Sequence, residues 1–325
     1  MNGNETVQSL NVLNYSGMLY NKANTKTPFL NRISGKVKYT NAVEFVCGQF
    51  YTSEEGEIPE ISETASLTAP TATFVTREQK TNVTQIFQDT VAISYAKQSN
   101  MASLSGVNVA GQSANPQNEL DFQVARKLEK LKRSIEKTFI QGKFKKATKD
   151  SEANQTRGMD EAIVTNVIEG AGADLNIWLV NDLMQKIYDN QGDITGLTLW
   201  VNTVGLNQLN ADAIANGMKM GDPYMSTYGV QIRELLLPLG VINIALGEFI
   251  PEGTAYLFNF DVIGPVEQPV PGKGNFFLEA LAKVGAGEKY QLFGQIGLDH
   301  GPEWYHGKIT GLSATFTKSS EVVEG

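Results

Sequence analysis

The sequence predicts a mixed α+β protein organised around one long helix, and three observations carry the prediction. Leu120, Val124, Leu128, Leu131, Ile135 and Phe139 recur every three or four residues between Asn115 and Gly142, which places them on one helical face. Residues 161–268 alternate helix-like and strand-like segments, the texture of a compact α+β or α/β unit. Apolar runs near 43–47, 82–95 and 290–298 have strand character.

Residues 1–35 are polar and rich in Asn and Thr, with scattered Leu10, Val12, Leu13, Met18 and Leu19. They are expected to form an extended arm that gains order only against something else, with 28–30 as its first apolar anchor. From Lys36 to Gln79 the texture changes. Val43, Phe45 and Cys47 alternate with polar residues; Glu54, Glu55, Glu57, Glu60 and Glu63 then crowd together with Gly56 and Pro59, and a Thr- and Ala-rich run follows. This predicts a long two-stranded excursion with an acidic tip. Arms of about twenty residues, at roughly 3.3 Å each, reach on the order of 60 Å. Such a hairpin is marginal alone in water and needs a neighbouring surface; a disordered acidic loop is the alternative.

Residues 82–95 return to strand character and 101–117 form a Ser-, Gly- and Asn-rich loop. The long helix is read over 116–141: Asn115 suits the cap, Pro116 the first helical position and Gly142 the exit. Its length is about 35 Å. Arg126, Lys127, Lys130, Lys132, Arg133 and Lys137 outnumber Glu119, Asp121, Glu129 and Glu136 on the remaining faces. Taken alone, these charges fit a solvated surface helix; in context they fit a spine with one side on a sheet and the other facing partners. A second amphipathic helix (178–188), a buried strand (197–201), a short helix (204–214) and strands at 230–232, 241–246 and 254–258 follow. Residues 290–298 and 308–312 read as strands joined by a Gly- and Pro-containing turn, before a polar tail.

The chain has 325 residues, 41% hydrophobic and 19% charged, enough for a real core in one large domain or two to three smaller ones. A net charge of -8 argues against a protein that coats nucleic acid, which needs a basic surface. Cys47 is the single cysteine, so no internal disulfide forms. Residues 1–5 carry no basic region leading into an apolar run, so no signal peptide is expected. The most apolar run, 235–239, is too short to span a bilayer. A cytoplasmic setting without membrane partners is expected.

Catalytic candidates are sparse. Asp299, His300, Glu303 and His306 have metal-ligand chemistry and raise the alternative of a metal-dependent hydrolase. Their spacing is wrong for a helical His-Glu-x-x-His site, and Gly301 and Pro302 break any helix there; a hairpin turn with Trp304 packed inward is the other reading. Residues 170–174 and 272–274 lack the glycine pattern of a dinucleotide site and the Ser/Thr of a phosphate-binding loop. Cys47 lies in a strand pattern without basic neighbours, and the acidic run lacks the spacing of a calcium loop. No enzyme activity, cofactor or metal is expected. The basic run 126–146 fits a solvated face or one half of an intersubunit pairing with the acidic tip.

The order of these parts resembles the major capsid proteins of tailed bacteriophages, which have the Hong Kong 97-type capsid fold. The resemblance rests on the run 76–87 (Thr-Arg-Glu-Gln-Lys-Thr-Asn-Val-Thr-Gln-Ile-Phe) leading into the helix, on Arg157-Gly158-Met159 after it, and on 294–298 and 306–312 near the end. It spans roughly 28–312, with one departure at 295–297, where a more acidic strand is expected. It implies an N-terminal arm (1–35), an extended E-loop (36–79), a peripheral P-domain (80–160 and 286–325) and an axial A-domain (161–285). It also implies a shell subunit that forms hexamers and pentamers around double-stranded phage DNA, without sequence-specific binding. Portal, scaffolding or decoration proteins are the further partners, and the location is a virion capsid assembled in the host cytoplasm. Intersubunit contacts are then expected at Glu54, Glu55, Glu57, Glu60 and Glu63, and at Arg126, Lys130, Arg133 and Lys137. An encapsulin-like compartment is the alternative with the same fold.

Overall fold

A computed structural model describes residues 27–51, 77–96, 119–215, 224–225 and 231–316, with 58, 60–69, 71 and 74 between the first two segments. The long helix is present as α2, Glu119–Gln141, after a short helix α1, Pro28–Ile33. Val124, Leu128, Leu131, Ile135 and Phe139 of α2 are buried as their spacing predicts. They pack on a five-stranded sheet through Phe87, Val91, Ile93, Leu292 and Ile296.

That sheet is built on β13, Gly287–Asp299, the longest strand. One edge of β13 pairs antiparallel with β4, Gln85–Ser94, over ten residues. The other edge carries β12, Phe277–Ala280, and then β11, Gly264–Glu267, with β1, Lys38–Tyr39, parallel to β11. β2, Glu44–Tyr51, and β3, Arg77–Val83, form a separate antiparallel ribbon. The excursion is therefore two-stranded at its root, with the outgoing strand where the alternation at 43–47 predicts it; the return strand is Arg77–Val83 and not the Thr- and Ala-rich run expected to form it, where Ala65–Leu67 make a 3-10 turn.

A seven-stranded sheet runs β5 (Val167–Glu169), β14 (Gly307–Thr310), β10 (Ala255–Asn259), β6 (Leu197–Val201), β9 (Gly240–Leu246), β8 (Gln231–Leu237) and β7 (Tyr224–Met225). Besides α3, Met159–Ala162, this half of the chain supplies α4, Ile177–Asp189, and α5, Thr203–Ala215. Leu183, Met184 and Ile187 of α4 share a core with Leu199, Val201, Leu257 and Ile309 of the sheet. Trp200, Tyr256 and Phe258 belong instead to the core that contains α1 and α2. Both faces of the central strands are thus covered, which is why β6 and β10 are buried throughout and are predominantly apolar, with Thr198 and Asn259 the polar exceptions.

Four further expectations need correction. Residues 28–33 are not an extended arm: Phe29, Leu30 and Ile33 are fully buried in the protein's own core, and Phe29 meets Trp200, Phe258 and Phe260 at 5.5–5.9 Å between ring centroids. Lys132 and Glu136, counted among the outer charges of α2, are buried; α1 covers Glu136, whose carboxylate accepts the Leu30 amide. β13 and β14 do not form a hairpin; the Gly–Pro segment between them crosses from one sheet to the other. The same crossing separates sheet membership from the boundary drawn at 285/286: β11 and β12 lie with β4 and β13, and β14 lies in the other sheet.

Candidate intersubunit surface

Arg126, Lys130, Arg133 and Lys137 recur at i, i+4, i+7 and i+11 on α2 and are exposed, forming one row about 16 Å long. With Glu129, Ser134 and Phe249 they line a shallow groove of about 380 Å³. The structure therefore brings these four candidates together, but three already have partners within the chain. Arg126 pairs with Glu129 at 2.8 Å, Lys130 with Asp89 at 2.9 Å and Arg133 with Glu248 at 2.7 Å. Asp89 also holds Lys127 at 2.8 Å; burial opposes its ionisation, yet the two ammonium groups outweigh burial and keep its carboxyl below the usual value. Arg133 also lies over the Phe249 ring at 5.7 Å. Lys137 makes no ion pair among the described residues.

Of the acidic candidates, Glu54, Glu55 and Glu57 lie outside the described residues. Glu60 and Glu63 are exposed and make no ion pair among the described residues. Their segment is also strongly apolar at its surface: Ile58 is 90% exposed, Ile61 68%, Leu67 86% and Phe74 91%. A single chain leaves these side chains in water. Sequence reasoning missed Phe249, which lines the groove, and Asp89 and Glu248, which hold Lys130 and Arg133 of its wall. Asp89 sits on a strand, and Glu248 and Phe249 lie in the loop after β9; no periodicity links either to α2.

The root of the ribbon is tied down by polar groups. Asn82, fully buried, donates to the carbonyls of Leu298 at 2.8 Å and Arg157 at 3.1 Å, and its Oδ1 accepts the Arg157 amide at 2.7 Å. The Arg157 guanidinium lies over Phe144 at 4.4 Å. Lys146 pairs with Glu44 of β2 at 2.5 Å.

The possible hydrolase residues do not converge. His306 accepts the Asn259 amide at Nδ1 (3.2 Å), and its Nε2 donates to the His300 carbonyl at 2.8 Å. Glu303 accepts both the Val164 and Thr165 amides and the Thr165 hydroxyl. Asp299 pairs with Lys38 at 2.6 Å and accepts the Gly301 amide at 3.0 Å. Each group is spent on holding a loop, and no three His, Cys, Asp or Glu residues among those described are placed to share a metal. Cys47 is buried at the Leu298 carbonyl, 3.4 Å away, and burial pushes its thiol well above the usual range.

The family model for the SU10 major capsid protein matches residues 2–313. The chain belongs to that family. It is a structural subunit of a capsid shell, not an enzyme. No functionally curated protein matches the sequence. Solved structures share the fold at low identity. The cyanophage A-1(L) capsid is 12% identical with a TM-score of 0.62, covering 88% of this chain and 93% of the other. Mycobacterium phage Patience is 11% identical at 0.55, covering 93% and 85%. The SrpI encapsulin of Synechococcus elongatus PCC 7942 is 9% identical at 0.58, covering 92% and 93%. The capsid subunit thus has the Hong Kong 97-type fold, which phage capsids and encapsulins share; family membership places it with the former.

Proposed function

We propose that this subunit closes a shell around double-stranded phage DNA by laying its 36–79 ribbon across the α2 groove of a neighbouring copy. The observation that carries this is complementarity. The ribbon tip offers Glu60 and Glu63 beside Ile58, Ile61, Leu67 and Phe74, all exposed. The groove offers Lys137, Arg133 and Arg126 around Phe249. Each exposed ion pair adds only about 0–1 kcal/mol, so strength comes from apolar burial and from repetition of modest contacts in a closed lattice.

In this reading the chain ahead of α1 serves as the N-terminal arm, 36–79 as the E-loop, 80–160 with β11, β12 and β13 as the P-domain, and 161–263 with β14 as the A-domain. The copies form hexamers and pentamers, with portal, scaffolding or decoration proteins as further partners and the host cytoplasm as the place of assembly. The net charge of -8 suits a container wall that does not grip its DNA. The test is electron microscopy and sedimentation of the full chain, wild type against Phe74→Asp and Lys137→Glu. Shells from the wild type and unassembled, folded subunits from both variants are expected. Normal shells from both variants would overturn the groove assignment, and a wild type that never assembles, even with its neighbouring phage proteins, would overturn the shell reading in this form.

A further inference from the structure

Glu136 occupies a position where a carboxylate is costly. It is 0% exposed on the face of α2 that meets α1. Its Oε2 accepts the Leu30 amide at 3.2 Å, with the Phe29 amide close enough to assist. Its Oε1 is buried without a hydrogen-bond partner. No cation pairs with it among the described residues. On α1, Arg32 donates to Thr198 and lies over the Phe260 ring. On α2, Arg133 is engaged with Glu248, the carboxylate that acts on Lys132 is Glu129, and Lys137 is exposed. From the loop after β9, the charge that reaches Glu136 is Glu248, of like sign.

We propose that Glu136 is a protonation-operated latch on the N-terminal segment. With a proton on its carboxyl it holds α1 against the spine helix. Ionisation releases α1: the proton passes to solvent as α1 lifts and water reaches the carboxylate.

Burial raises this carboxyl from 4.5 to about 8, the nearby Glu248 charge adding to the rise and the two amides opposing it. The docked state therefore holds its full advantage below pH 4.5 and loses it as pH rises through 8. The release equilibrium climbs about 70-fold from pH 5 to pH 7 and levels off above about pH 8. The latch is a property of the single chain and does not depend on the intersubunit reading.

The test is hydrogen exchange by mass spectrometry on the full chain from pH 5 to pH 9, corrected for the intrinsic pH dependence of exchange. A peptide spanning 27–35 reports the latch, and one spanning 177–189 reports global opening. The 27–35 peptide of the wild type is expected to show the rise of about 70-fold between pH 5 and pH 7 and about tenfold more before the plateau, the control peptide is expected to show neither rise nor plateau, and Glu136→Gln is expected to be flat. A flat wild-type profile, an equal rise in the control peptide, or a Glu136→Gln profile that follows the wild type would overturn the proposal. Should Glu136→Gln not fold, Glu248→Gln removes the like charge and moves the plateau to lower pH; a plateau that stays or moves upward would overturn it.

Discussion

Acidification is expected to act on two buried imidazoles, and the size of the effect follows from their surroundings. His306 cannot take a second proton without losing the Asn259 amide at Nδ1, since its Nε2 already donates to the His300 carbonyl. His300 donates from Nδ1 to the Gly301 carbonyl at 2.7 Å, and its Nε2 is buried. Burial depresses both groups from 6.5, to about 3 for His306 and about 4 for His300. The folded values lie below the unfolded value, so the unfolded chain binds protons first and stability is lost as pH falls below 6.5. Between pH 7 and pH 5 each imidazole removes about 2 kcal/mol, about 4 kcal/mol together. Glu136 acts in the opposite sense, returning about 2.5 kcal/mol over the same interval. The wild type should therefore lose only about 1–2 kcal/mol, and Glu136→Gln should lose the full amount of about 4 kcal/mol. Adding His306→Gln to that variant should halve its loss. Denaturant midpoints of the full chain at pH 7 and pH 5, at constant ionic strength, measure all three. A Glu136→Gln protein whose stability is the same at both pH values would refute the reasoning.

Three other perturbations have definite expectations. Phe29→Ala removes the ring that meets Trp200, Phe258 and Phe260 and should cost about 3–5 kcal/mol in chemical denaturation, with a loss below 1 kcal/mol showing that α1 is not part of the cooperative core. Gly142→Ala places a methyl 2.4 Å from the Thr138 carbonyl oxygen and 2.6 Å from that of Thr156; both are backbone, so thermal melting should show a loss of roughly 1–3 kcal/mol. Asp89→Asn frees Lys127 and Lys130 and should cost about 1 kcal/mol, an effect that shrinks in high salt because both lysines are partly solvated.

The long helix was legible because its six apolar positions repeat with helical period over twenty residues, a longer run than the other helices offer. The short strands of the central sheet were legible for a related reason: Leu197–Val201 is enclosed on both faces, so four of its five residues are large and apolar and only Thr198 is polar. The sheet partners were not legible. Nothing local in Gly264–Glu267 distinguishes a neighbour of β13 from a neighbour of β10, because partner choice is settled by contacts between distant segments. Glu136 is the sharpest case. Its burial depends on Leu30, 106 residues away, and by helical spacing alone it is one more surface charge. The basic row Arg126–Lys137 could be found from spacing, as could the i,i+3 partner Glu129 of Arg126, but the partners Asp89 and Glu248, supplied by a strand and a loop, could not.

β3 ends at Val83 and β4 begins at Gln85, so a single residue, Thr84, separates ribbon from sheet. Its amide bonds to the Val43 carbonyl at 2.8 Å and its hydroxyl to Gln268 at 2.6 Å. Mechanically, the ribbon is a lever clamped at one end, and β4 is the shaft on which it pulls. Tension along that shaft acts parallel to the ten-residue pairing of β4 with β13. The rungs share the load in shear instead of parting one after another, as they do when two strands are peeled from an end. A pull on the ribbon would thus meet the stiffest direction of the sheet that carries it.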